Sequence, residues 1–147
     1  MPSLKISGKD RLQWIPYVIC VLFSTLGFGQ HQISVTVEDV KNNEGKLNAA
    51  LYDTADTFLK FDAVFASTSA RAEAGTTVLL FEDVPAGTYG IALYHDENGN
   101  NEMDTNWMGI PKEKVAFSNA KMKTFGPPNF EECSFTVSED TALVVRF

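Results

Sequence analysis

Beyond residue 30 the chain alternates apolar and polar side chains at every second position, which is the mark of half-buried strands. Ile33, Val35 and Val37 alternate with Ser34, Thr36 and Glu38. Asn42–Gly45 is turn material, after which Leu47, Ala49 and Leu51 resume the rhythm up to Tyr52. Val78–Phe81 is a short apolar run leading into Asp83-Val84-Pro85-Ala86-Gly87-Thr88. That is a tight turn, with Pro85 fixing one backbone dihedral and Gly87 permitting a positive one. Tyr89, Ile91 and Leu93 then alternate with Gly90, Ala92 and Tyr94; Cys133, Phe135 and Val137 alternate with Ser134 and Thr136; Leu143–Phe147 closes the chain. Only Thr54–Leu59 and Ala63–Ala72 offer helical material, the first capped by Asp53 or Thr54. Six short strands with turn signals between them predict an all-β, antiparallel Greek-key sandwich, with one long irregular loop over residues 94–130.

The first thirty residues follow a different pattern. Lys5, Lys9 and Arg11 precede an almost wholly apolar stretch, Trp14–Phe28, and small residues Gly27 and Gly29 follow it. That order is a secretory signal peptide, and cleavage is expected near Gly29. The alternative is a membrane anchor, but the apolar stretch is about fifteen residues where a span needs roughly 20, and Pro16 interrupts it. Cys20 lies inside the apolar stretch, not just after the cleavage point as lipidation requires. The chain therefore divides into a signal peptide, 1–29, and a single domain, 30–147, secreted or periplasmic and without a membrane span after cleavage.

Charge narrows the partners. Removing Lys5, Lys9, Arg11 and Asp10 from 12 basic and 19 acidic residues leaves nine and eighteen, so the domain carries −9. Phosphate binding needs clustered cations, which excludes nucleic acid as an expected partner; cation binding or plain solubility suits an acidic domain better, and an envelope protein or a glycan is the partner considered. Cys133 is the one cysteine left, so the domain folds without an internal disulfide. Its alternation with Phe135 and Val137 reads as a buried small hydrophobe.

The long loop carries the candidate chemistry. Asp96, Asn98, Asn100, Glu102 and Asp104 place an oxygen donor at every second position, with Gly99 among them. Ca²⁺ takes six to eight oxygens, and calcium loops supply them in this alternating way. The run is not an EF-hand: Trp107 stands where the bidentate Glu belongs, and Gly99 falls at the fourth position instead of the sixth. It reads either as an irregular Ca²⁺ loop or as a turn held by Asx side chains. Further along, Trp107, Phe117, Phe125 and Phe130 are expected to pin the loop onto the sandwich, or else to form a binding platform.

Catalytic signals are sparse. His95 stands beside Asp96 at a strand end, and Ser118 completes a Ser-His-Asp set on paper only, with no nucleophile elbow around it. His95 and Cys133 are too few for a zinc site. The expected function is a non-catalytic extracytoplasmic binding or structural module; the alternative is a small envelope hydrolase using His95 with Asp96 or Asp104.

The stretch Phe81-Glu82-Asp83-Val84-Pro85-Ala86-Gly87-Thr88-Tyr89 through Leu93-Tyr94-His95-Asp96-Glu97-Asn98-Gly99-Asn100 resembles an uncharacterised exported bacterial family, domain of unknown function 2141. Gly109-Ile110-Pro111-Lys112-Glu113, Phe117-Ser118-Asn119 and Phe125–Phe130 fit it too. The resemblance implies an exported β-sandwich and brings no activity, substrate or catalytic residue. More loosely, the Val84–Asp96 segment is similar to the core hairpin of transthyretin-like and carboxypeptidase-regulatory-like sandwiches, which are Ig-like in build. The hydrolytic transthyretin-like proteins end in a Tyr-Arg-Gly-Ser motif, whereas this chain ends Val144-Val145-Arg146-Phe147, so that activity does not carry over.

Overall fold

The computed structural model describes residues 29–147, and the expected leader lies outside the described residues except for Gly29. The strands are β1 (Gln30–Val40), β2 (Lys46–Tyr52), β3 (Ala66–Arg71), β4 (Gly75–Pro85), β5 (Gly87–Asp96), β6 (Val115–Phe117), β7 (Phe135–Val137) and β8 (Thr141–Arg146). One short helix, α1 (Phe130–Cys133), precedes β7, and a 3₁₀ turn spans Phe61–Ala63. Among the described residues no helix is long and apolar enough to cross a membrane.

Two sheets face each other. The first has the order β4-β1-β8; the second runs β3-β2-β5-β6, with β7 pairing the start of β5. Pairing is antiparallel except between β1 and β8, which run parallel. The alternating residues point as their rhythm predicts. Ile33, Val35 and Val37 meet Leu47, Ala49, Leu51, Ile91 and Leu93 in the interior, with Leu79, Phe81 and Val145 beside them. Burying a Leu or Ile side chain contributes roughly 1.5–3 kcal/mol, so this contiguous core carries the domain.

The rhythm breaks twice, each time at the tripeptide Glu-Asp-Val. Asp39 and Asp83 both adopt left-handed backbone conformations, φ 62° and 57°. The β1–β4 register shifts at both places. Each is a bulge that inserts one residue, and Asp tolerates the left-handed region better than most side chains. The bulges turn Val40 and Val84 inward, three residues after Val37 and Phe81. Across the β4–β5 turn, the Tyr89 hydroxyl donates to the Pro85 carbonyl at 3.0 Å and ties the hairpin closed.

Three expectations need correction. Ala63–Ala72 is not helical, since Ala66–Arg71 forms β3 along β2. Its small side chains alternate between interior and solvent, and a free edge of β2 to pair with outweighs the modest helix preference of alanine. Thr54–Leu59 forms turns, begun by a Thr57 amide donating to Thr54 Oγ1 at 3.3 Å and broken by Leu59 at φ 64°. Cys133 belongs to α1 instead of a strand, though it points inward as expected. Burial pushes its thiol up to about 11, helped by the Glu132 charge and opposed by Lys123. A thiol so protonated is a packing group.

The β1–β2 turn passes directly against the end of β5. Gly45 lies at φ 63°, and a Cβ there would stand 1.8 Å from the Asp96 carbonyl oxygen. Gly99 has a similar φ of 72° but open space around it. Gly99→Ala should therefore lose only the about 1–2 kcal/mol of a left-handed alanine. Gly45→Ala should lose clearly more in the same urea titration; equal losses would refute the close approach.

Candidate functional site

Strand β5 is the origin of the site because its two faces serve different purposes. Tyr89, Ile91, Leu93 and His95 face the core, so Gly90, Ala92, Tyr94 and Asp96 face the outside of the second sheet. Asp96 ends the strand and is buried beneath the loop that follows. Its Oδ1 accepts the backbone amides of Gly99 at 2.7 Å and Asn100 at 3.1 Å. Its Oδ2 accepts the Asn101 amide at 2.9 Å and Asn48 Nδ2 at 3.4 Å. A buried charge needs such partners, and the positive φ of Gly99 and Asn101 aims successive amides at one carboxylate.

The remaining oxygen donors of the loop are also turned onto amides. Asn98 Oδ1 accepts the Asn100 amide at 3.0 Å, and Asn100 Oδ1 accepts the Glu102 amide at 2.8 Å. Asn98 Nδ2 donates to Asp104 Oδ2 at 2.6 Å, and Asn100 Nδ2 reaches both Asp104 oxygens at 3.4 Å. The structure thus brings Asp96, Asn98, Asn100 and Asp104 into one network, which Glu102 joins through its backbone. Among the described residues no three His, Cys, Asp or Glu side chains are grouped as a metal cage.

His95 and Asp96 are not brought together. They are successive strand residues, so the imidazole lies in the interior, with Nε2 2.7 Å from the Glu44 carbonyl oxygen and the ring stacked on Phe147 at 6.2 Å. Among the described residues His95 Nδ1 has no partner. Ser118 is likewise structural. Its Oγ donates to the Cys133 carbonyl at 2.6 Å and accepts the Ile91 amide at 2.9 Å, joining the end of β6 to β5 and α1.

The outer face of the second sheet is the floor of a groove of about 1090 Å³. In the register, Ala50 lies between Ser67 and Ala92, and Ala92 beside Phe117. One row further along, Asn48 lies between Ser69 and Tyr94, and Tyr94 beside Val115. One wall is the 53–64 segment, with Leu59, Phe61 and Val64; the opposite wall comes from the long loop, with Met103, Ile110, Pro111 and Met122. Phe58 anchors the first wall by edge-to-face packing between Tyr52 at 5.3 Å and Phe130 at 5.7 Å. Gly90 makes room for it, since a Cβ there would stand 3.3 Å from the Phe130 ring. Small floor residues between aromatic and aliphatic walls form the kind of concavity that takes an apolar ligand.

The polar row of this floor is electrostatically uneven. Glu113 continues the β6 ladder toward Asp96, as the His95 amide donating to the Lys114 carbonyl at 3.0 Å shows. Its Oε2 accepts the Asp104 amide at 3.2 Å, while its Oε1 is buried with no partner in hydrogen-bond range among the described residues. Burial pushes the Glu113 carboxyl above the usual carboxylate range; the Asp104 amide and, more weakly, the Glu97 amide oppose this, and the charges of Asp96 and Asp104 add to it. Burial also raises the Tyr94 phenol, with Asn48 pulling the other way and the nearby carboxylates adding to the rise. Perturbed carboxyls in a cleft are how functional sites commonly present themselves.

Of the four loop aromatics expected to pin the segment, Phe117 and Phe130 do so. Trp107 and Phe125 instead stand 91% and 95% exposed. Each occupies a turn tip: the Gly109 amide donates to the Asn106 carbonyl at 2.9 Å, and the Lys123 amide to the Gly126 carbonyl at 3.0 Å. A side chain at a turn apex points away from the body of the fold. Both tips adjoin the groove wall, since Gly109 and Gly126 line it.

The profile of a family described as uncharacterized proteins conserved in bacteria, DUF2141, matches residues 35–144. The chain belongs to this family. No curated protein and no solved structure matches it. In this DUF2141 protein the matched span runs from β1 to β8 and so includes both sheets, both groove walls and the acidic loop.

Glu113 and the groove floor were missed in the sequence as a site. The signal was there: an outward strand face exposed to water should be polar, whereas Ala50, Gly90, Ala92 and Tyr94 are small or aromatic. The raised Glu113 carboxyl is expected to make the stability of this DUF2141 protein depend on pH. Because its folded pKa is raised, the unfolded chain releases this proton first as pH rises, so ionisation costs the fold stability above the ordinary carboxylate range. Glu113→Gln should raise the unfolding midpoint at neutral pH. The gain should shrink as pH falls through the raised value and vanish below the ordinary one; a gain independent of pH would contradict this.

Proposed function

We propose that this DUF2141 protein is a non-catalytic extracytoplasmic β-sandwich that binds a ligand in the groove on the outer face of its β3-β2-β5-β6 sheet. The observation that carries this reading is the floor itself. An open sheet face made of Ala50, Ala92 and Tyr94 beneath apolar walls leaves a cleft of ligand size in place of a solvated polar surface. Exposed aromatics at the rim, Trp107, Phe125 and Phe61, support it, because exposed apolar clusters mark contact surfaces. The interior placement of His95 and Ser118 supports a binding role over hydrolysis.

The extracytoplasmic assignment rests on the leader pattern and on the start of β1 at Gln30, which cleavage near Gly29 leaves whole. N-terminal sequencing of the exported protein should begin at or beside Gln30; an intact Met1 start in the cytosol would rule the assignment out.

The groove is tested with phenylnaphthylamine, an apolar dye that fluoresces when shielded from water. The wild-type protein should bind it, and Ala92→Trp, which fills the floor without entering the core, should abolish binding while the circular dichroism stays native. No dye binding, or equal binding by a folded Ala92→Trp, would sink the reading.

Ca²⁺ at the polar end is a second reading. It is favoured by the absence, among the described residues, of any lysine or arginine paired with Asp96, Asp104 or Glu113. An ion there would have to displace the amide bonds that already hold Asp96 and Asp104. A bound ion must raise the unfolding midpoint by mass action. A midpoint identical in Ca²⁺ and in chelator would retire this reading.

A further inference from the structure

We infer that the groove holds a single amphiphile bearing a protonated amine, with its head against Glu113 and its tail along Ala50 and Ala92. This rests on the groove reading above and adds the chemical class of the ligand.

The argument begins with the order of residues along the floor. β2 crosses the groove from Lys46 to Tyr52, a length of ~20 Å at ~3.3 Å per residue. Along it the outward side chains change from polar to apolar. Lys46 and Asn48 stand at one end, with Tyr94 and Ser69 beside Asn48. Ala50 and Tyr52 stand at the other, with Ala92 beside Ala50 and Phe61 on the wall above. A ligand that matches this floor is itself polar at one end and apolar at the other.

The sign of the head group follows from which charges are already satisfied. Lys123 lines the groove, but its ammonium pairs with Glu132 Oε2 at 2.7 Å. Lys46 Nζ donates to the neutral Asn101 side chain and so keeps its charge, but at this end of the floor it stands against three carboxylates, Asp96, Asp104 and Glu113. Asp96 is enclosed by three backbone amides and Asn48, and Asp104 by the Asn98 and Asn100 amides. Among the described residues Glu113 Oε1 is the one buried carboxylate oxygen with no donor in hydrogen-bond range, although the Glu97 amide lies close enough to favour the ionised carboxyl. Glu113 lines the groove, and its terminal carboxylate torsion is soft enough to turn this oxygen toward a ligand there. An anionic head would meet Glu113, Asp104 and Asp96 together and be repelled. A neutral hydroxyl would satisfy one lone pair and leave the charge. A protonated amine supplies both the donor and the compensating charge, and a charge-assisted hydrogen bond is the stronger kind.

The test is displacement of bound phenylnaphthylamine by decylammonium, decanol and decanoate, each kept below its micelle concentration. The three share one tail, so differences report the head. Decylammonium should bind about ten- to hundredfold more tightly than decanol, the range expected when one partner of a hydrogen bond is charged; decanoate should be the weakest. Glu113→Gln should erase the preference for the amine and leave decanol affinity unchanged. Equal affinity for amine and alcohol, or an amine preference that survives Glu113→Gln, would overturn the inference while the groove reading stands. Failure of the dye to bind the wild type would remove both. Should Glu113→Gln lose decanol too, Glu113→Asp decides, because it keeps the charge and shortens its reach. A lowered amine-to-alcohol ratio supports the assignment, and an unchanged ratio refutes it.

Discussion

The alternation of β5 is the constraint on which the rest of the structure depends. A strand has two faces, and β5 uses both fully. Tyr89, Ile91, Leu93 and His95 are committed to the interior. Gly90, Ala92, Tyr94 and Asp96 are thereby fixed on the outside, where β2 extends the same face with Asn48, Ala50 and Tyr52. A slip of one residue would send the whole set to the wrong side. The register is locked against it by core packing, by the Tyr89 hydroxyl bond across the hairpin turn, and by Gly45, which fits against the Asp96 carbonyl only because it has no Cβ.

From that constraint the site follows in two steps. Asp96 arrives at the strand end on the outer face, where burial obliges its carboxylate to find donors, and the loop folds back to supply them. The loop then stands as a wall over the sheet. Its return strand, β6, brings Glu113 down opposite Asp96 with fewer donors left to share. One carboxylate organises the loop; the other is left raised in pKa and partly unsatisfied at the polar end of an apolar cleft. Such a division between two nearby acids belongs to the fold itself, and it gives the groove a direction.

Much of this was legible in the sequence. The interior strands were, because Val, Ile and Leu at every second position have one economical arrangement. The Pro85–Gly87 turn and the Asx-rich turn after Asp96 were, because their residues carry specific backbone preferences. β3 was not, because Ala and Ser alternate too weakly to be told from a helix without knowing that β2 has an edge to fill. The two bulges were hidden for a different reason. Asp39 and Asp83 look like ordinary polar positions until the pairing of β1 with β4 forces an extra residue into each strand. Trp107 and Phe125 look like loop anchors or a binding platform in the sequence, because large aromatics serve both ends; Gly109 and Gly126 place them at exposed turn tips. The groove required knowing that loops 53–64 and 97–128 rise on opposite sides of one sheet, and that is a property of the tertiary fold alone.

The central claim is that the outer face of β2 and β5, and not another surface, meets the ligand. The most direct measurement is backbone amide chemical-shift mapping by NMR during titration with decylammonium. The account predicts that the largest changes fall on Ala50, Ala92, Tyr94 and Glu113. Changes confined to the opposite sheet, around Val78, Leu80 and Val144, or no changes at all, would contradict it.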